Sequence, residues 1–97
     1  MMKIDDLDNR TYIISREGHI PLNDKSVSKQ HAEIQVMDGK ISLRDLTSTN
    51  ATYLIEDNKL IRFSNGYVKP EQRVVLGQKS YSIGELLDMV YAKTVEI

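Results

Sequence analysis

Ser28, Lys29, Thr49 and Asn50 supply two hydroxyls, an ammonium and an amide, with no carboxylate among them, in the short polar segments "SVSKQH" and "TSTN". Hydrogen-bond donors without an acid suit an anion better than a metal. A phosphate carrying about −1.5 to −2 charges is the natural candidate. The chain has no glycine-rich strand-to-helix turn, so side chains and irregular loops would have to hold such a group. Taken singly, each residue is ordinary loop chemistry: Ser and Thr bond neighbouring backbone in turns, and Asn tolerates left-handed conformations. Only their convergence would make a site.

A turn supplies that convergence. Asp38-Gly39 lies between two alternating runs and suits the positive φ angles of a two-residue hairpin loop. Met37 then pairs with Lys40, Val36 with Ile41, Ile34 with Leu43 and Ala32 with Asp45, which puts the aliphatic pairs on one face. Counting outward sets His31 opposite Leu46 and Ser28 near Thr49, so the two polar segments emerge together from the open end of one hairpin.

Elsewhere apolar residues recur with period two between Gly, Asn, Asp and Pro, the pattern of an antiparallel sandwich or barrel. Strands are expected near Thr11–Ser15, His19–Leu22, Ala32–Met37, Lys40–Leu46, Thr52–Ile55, Leu60–Phe63, Arg73–Leu76 and Lys79–Ile83. The end of the chain differs, because Ile83, Leu86, Leu87, Val90 and Tyr91 follow helical spacing, with Ser82 and Glu85 as a capping box. The expected organisation is one domain over 1–97, with a β core over about 11–83 and a helical extension over 84–97.

Composition limits the alternatives. The chain has 97 residues, 40% of them apolar, a formal net charge of −1 and no cysteine. One small packed core is affordable, and disulfides, thiolate metal sites and cysteine nucleophiles are excluded. The near-zero charge and an aromatic content of 6% provide neither the basic footprint nor the stacking platform of a nucleic-acid binder. His19 and His31 lack metal-ligand spacing, so no metal or other cofactor is expected. No apolar run is long enough to span a membrane, and the start, "MMKIDDLDNR", lacks the apolar stretch of a secretory signal. A cytoplasmic location without membrane contact is expected.

Ser28, His31 and Asp45 superficially offer a nucleophile, a base and an orienting acid. On a regular strand, however, Asp45 and Ala32 share the core face while His31 points to the other. Ser28 also lacks a nucleophile elbow. An enzyme is therefore not expected.

The segments "YIISR" (Tyr12–Arg16), "IPLND" (Ile20–Asp24), "VSKQHAEI" (Val27–Ile34), "LRDLTSTNAT" (Leu43–Thr52) and "RVVLG" (Arg73–Gly77) together resemble the forkhead-associated (FHA) domain family. The resemblance implies an all-β antiparallel sandwich with a short C-terminal helix, binding phosphothreonine peptides through loops at one end. It maps phosphate contacts onto Arg16, Ser28 and Thr49, a phosphate or peptide contact onto Lys29, and a bond to the peptide main chain onto Asn50. His31, Ser48 and Thr52 are expected to support the loops. The partner would be a phosphothreonine-containing protein, which implies a Ser/Thr kinase. Discrimination against phosphoserine would come from burying the extra methyl, worth about 0.8 kcal/mol.

The family's Gly-Arg is Ser15-Arg16 here, and its Asn-Gly-Thr is Asn50-Ala51-Thr52. An alanine held at positive φ would cost about 1 kcal/mol, unless the loop takes another conformation. These two departures motivate an alternative, a phosphorylation-independent interaction or assembly domain on the same fold. The family's first strand would have to come from the short "MKIDDL" segment or be absent.

Overall fold

The computed structural model describes residues 10–16 and 18–94, the last four of these by backbone alone. The "MKIDDL" segment lies outside the described residues. Nine strands and one helix follow in order: β1 (Arg10–Ser15), β2 (Ile20–Pro21), β3 (Ala32–Met37), β4 (Lys40–Asp45), β5 (Thr52–Glu56), β6 (Lys59–Arg62), β7 (Asn65–Val68), β8 (Arg73–Leu76), β9 (Lys79–Ser82) and α1 (Ile83–Thr94). They form a five-stranded sheet, β2-β1-β3-β4-β7, and a four-stranded sheet, β6-β5-β8-β9.

Alternation drives the packing. Tyr12 and Ile14 of β1, Ala32, Ile34 and Val36 of β3, and Ile41 and Leu43 of β4 face a shared core, meeting Leu54, Val74 and Leu76 of the second sheet. Each large aliphatic side chain buried there contributes roughly 1.5–3 kcal/mol relative to exposure. The β3–β4 register is the expected one: Met37 pairs with Lys40, Val36 with Ile41, Ile34 with Leu43 and Ala32 with Asp45. Asp38 and Gly39 take φ values of 53° and 75°, as a type I′ turn requires. A second turn of this kind joins β5 to β6 through Asp57 and Asn58, at φ 50° and 62°.

Two features depart from expectation. β2 runs parallel to β1, pairing Ile14 with Ile20 and Ser15 with Pro21, and His19 completes that edge by accepting the Ile13 N–H on its Nδ1 at 3.0 Å. The second departure is β7, which pairs Ile41 with Val68 and Arg44 with Asn65 although no strand was expected there. Its Asn65-Gly66 dipeptide reads as a turn in isolation, and pairing with β4 overrides that local preference.

The helix begins where expected. Ser82 Oγ accepts the Glu85 N–H at 3.0 Å, an N-cap bond. The Glu85 carboxylate faces Arg73 instead, at 3.5 Å, so Glu85 adopts an ion pair across to β8 and not the reciprocal half of a capping box. Ile83, Leu86 and Leu87 are buried against the core and Val90 packs on it.

Candidate functional site

The open end of the β3–β4 hairpin is shaped by three pieces: the end of β1 at Ser15 and Arg16, the loop from Leu22 to His31, and the loop from Leu46 to Ala51. Backbone bonds bring them together. Leu22 N–H donates to Ser15 O, His31 N–H to Ile14 O, and Leu46 N–H to His31 O. Arg16 therefore leaves β1 beside the start of β3, at the same end of the sandwich as Ser28 and Thr49.

His31 precedes β3 and is fully buried, turned inward from the outer-face position a regular strand would impose. Its Nδ1 accepts the Ser28 backbone N–H at 3.1 Å. That fixes the proton on Nε2, which donates to Ala51 O at 2.9 Å. One imidazole thus ties both loops through their main chains. Neither ring nitrogen faces the Ser28 hydroxyl, and the arrangement by which a histidine activates a serine is not what this ring holds.

The two loops also meet directly. Thr49 N–H donates to Ser28 Oγ at 3.0 Å, and Asn50 Nδ2 donates to Ser26 O at 2.9 Å. A hydroxyl has one donor and two acceptor sites. Ser28 Oγ, having accepted from Thr49, therefore keeps its proton for a ligand, while Thr49 has only its hydroxyl to offer. Thr49, Asn50, Lys29 and Arg16 are exposed. Among the described residues, neither Arg16 nor Lys29 takes part in an ion pair.

Ala51 adopts the left-handed conformation at φ 64° and is 7% exposed. The loop thus keeps the geometry normally given to glycine, at a cost of about 1–2 kcal/mol, and the bond from His31 to Ala51 O offsets part of that strain.

Asp45 is the organiser that sequence reasoning passed over. Its carboxylate accepts the Ser48 hydroxyl, the Ser48 N–H at 3.2 Å and the hydroxyl of fully buried Thr52 at 2.8 Å. Burial pushes the Asp45 carboxyl up, but the bonds from the Ser48 hydroxyl, the Thr52 hydroxyl and the Ser48 N–H outweigh it and hold the group below its ordinary value. The legible signal was an Asp three residues before a Ser, a spacing that lets a carboxylate cap local backbone.

Asp24 plays a similar part in the other loop. It accepts the Ser26 N–H at 2.8 Å and the Gln78 N–H at 3.2 Å, and these two bonds, Ser26 first, hold its pKa below the ordinary carboxylate value. Gly77 permits this approach. A Cβ there would lie 2.9 Å from Asp24 Oδ2 and 3.0 Å from Val27 Cγ2, and the residue sits at φ +71°.

The arrangement is therefore a rim of two exposed cations, two hydroxyls and an amide, over a base of satisfied buried groups. No buried side-chain polar atom lacks a partner among the described residues. The FHA domain model matches residues 10–77. Among solved structures, the chain is 26% identical, with a TM-score of 0.67, to an FHA domain studied for phosphothreonine-dependent interactions, covering 76% of this chain and 75% of that one. It is 26% identical, with a TM-score of 0.65, to the FHA domain of CT664 protein from Chlamydia trachomatis, over 77% and 75% of the two chains. It is 28% identical, with a TM-score of 0.66, to the FhaA FHA domain complexed with the intracellular domain of Rv3910, over 76% and 79%. No curated protein sequence matches. With the family model covering the sandwich from β1 to the end of β8, and the two loops meeting at Ser28 and Thr49, this chain belongs to the FHA domain family.

Proposed function

We propose that this domain is a phosphothreonine-dependent protein-interaction module, without catalytic activity, whose ligand sits across the Ser28 and Thr49 loops. The observation that supports the reading is the Thr49 N–H to Ser28 Oγ bond, which joins the two loops directly and leaves the Ser28 proton for a ligand, at the end of the sandwich where exposed Arg16 and Lys29 take part in no ion pair among the described residues. Arg16 supplies a charge-assisted and bidentate contact to the phosphate, Lys29 a second charge, and the Ser28 and Thr49 hydroxyls complete the oxygen shell. Asn50 keeps its amide oxygen for the peptide main chain while its nitrogen braces Ser26. His31, Ser48 and Thr52 hold the loops and do not touch the ligand.

The partner is a protein carrying phosphothreonine, made by a Ser/Thr kinase in the same compartment. A cytoplasmic setting accords with the absence of cysteine from the sequence. Among the described residues no helix is long and apolar enough to cross a membrane.

The test is a titration with a phosphothreonine peptide library against phosphoserine and unmodified counterparts. Equal affinity for modified and unmodified peptides sinks the proposal. Arg16→Ala is expected to weaken phosphopeptide binding about tenfold to a hundredfold, the loss of roughly 1.5–3 kcal/mol for a charged hydrogen-bonding partner. Because the side chain is exposed and takes part in no ion pair among the described residues, folding stability should stay within about 0.5 kcal/mol of the parent. Added salt should weaken binding, since the attracting charges lie at the surface.

A further inference from the structure

The far end of the sandwich, away from the recognition loops, carries a second set of unused contacts. Between the β3–β4 turn and β7 lies a groove of about 370 Å³ whose lining includes Lys40, Ile41, Tyr67, Val68, Lys69 and Pro70, and no carboxylate. Tyr67 is 76% exposed. Lys40 and Lys69 are exposed as well, and among the described residues neither belongs to an ion pair.

β7 is also the outermost strand of its sheet. Asp45 N–H donates to Ser64 O at 2.8 Å, and the same register pairs Leu43 with Gly66 and Ile41 with Val68. Bonded and non-bonded pairs alternate along an antiparallel ladder. Asn65 and Tyr67 therefore direct their N–H and C=O groups away from β4, toward a strand position beside the groove that no strand among the described residues fills.

We propose that this edge is a docking site for an extended, acidic segment of a partner protein, which adds to β7 as one more strand. Main-chain bonds to Tyr67 supply the register, carboxylates meet Lys40 and Lys69 on the face that Tyr67 presents, and the alternate apolar side chains, on the opposite face, pack against Val68. A second copy of this chain is a poorer occupant. The strand and its next residue read Asn-Gly-Tyr-Val-Lys, which brings no carboxylate to the lysines. The site lies at the opposite end from Ser28 and Thr49, so it requires no phosphate and leaves the recognition loops open.

The test uses the full chain labelled with nitrogen-15 and an eight-residue peptide of alternating valine and glutamate, with lysine replacing glutamate in a control peptide. Saturable amide shifts are expected at Lys40, Tyr67, Val68 and Lys69 and not at Ser28 or Thr49. The double variant Lys40→Glu/Lys69→Glu should weaken binding at least tenfold, and methylating one central peptide nitrogen should abolish it. Should that variant fail to fold, Tyr67→Asp replaces it at a highly exposed position. Equal binding of the lysine peptide, shifts centred on the recognition loops, no saturation, or unchanged affinity in the variants would each overturn the proposal. So would sedimentation showing that the chain alone self-associates through β7.

Discussion

The two ends of the β3–β4 hairpin are built by different means. At the closed end, Asp38 and Gly39 turn the chain with two positive φ angles, and everything needed is contained in two adjacent residues. At the open end the strands separate into loops, and their geometry depends on side chains bonding to backbone some twenty residues away: His31 to Ala51, Ser28 to Thr49 and Asn50 to Ser26. A local device fails locally. A long-range device concentrates several bonds in one residue, so a single substitution there removes them together.

Graded substitutions make this contrast measurable. His31→Ala should be the most damaging, because it strands the Ser28 N–H and the Ala51 carbonyl in a buried place and opens a cavity. A loss of about 3–5 kcal/mol is expected in urea unfolding. A cost no larger than that of a turn substitution would break the contrast. Asp45→Ala removes the acceptor for three donors and should cost about 2–3 kcal/mol.

Asp45 also gives a pH signature. Its folded pKa is lowered, so the stability it contributes is fully present above the ordinary carboxylate value of about 3.9 and is lost as pH falls through the lowered folded value. Acid unfolding of Asp45→Asn should show a shallower slope across that window than the parent, and an identical slope would remove Asp45 from the account. At the closed end, Gly39→Ala should cost only about 1–2 kcal/mol, by forcing a side chain to a φ of 75°. The smallest effect is expected for Ala51→Gly. Relief of about 1–2 kcal/mol of strain is opposed by about 0.8 kcal/mol of lost methyl burial and about 0.5–1 kcal/mol of chain entropy, leaving a net change under about 1 kcal/mol.

What was legible in the sequence follows the same division. The hairpin register and the meeting of Ser28 with Thr49 could be counted outward from Asp38-Gly39, because turn chemistry and apolar alternation point to one pairing. The N-cap at Ser82 was legible for the same reason, its signal lying within three residues. β7 was not, since Asn65-Gly66 has the composition of a turn and becomes a strand only by pairing with β4. Nor was the parallel course of β2, which depends on His19 folding back to the Ile13 N–H. Ala51 posed a choice between strain and a rearranged loop that local propensity could not decide; the bond from a buried histidine twenty residues away selects strain. Asp45 was read as a ladder partner and rejected as a catalytic acid, although its carboxylate organises the loop that follows it.

The tie between Asp24 and Gln78 has a mechanical consequence. The Leu22–His31 loop feeds β3 in the five-stranded sheet yet is stapled to the β8–β9 turn of the other sheet, while the Leu46–Ala51 loop passes from β4 of the first sheet to β5 of the second. The rim formed by these two loops is thus a clasp holding the two layers of the sandwich. A ligand gripping both loops reinforces that clasp, and part of its binding free energy resists separation of the sheets, so the whole domain's thermal midpoint should rise with ligand concentration.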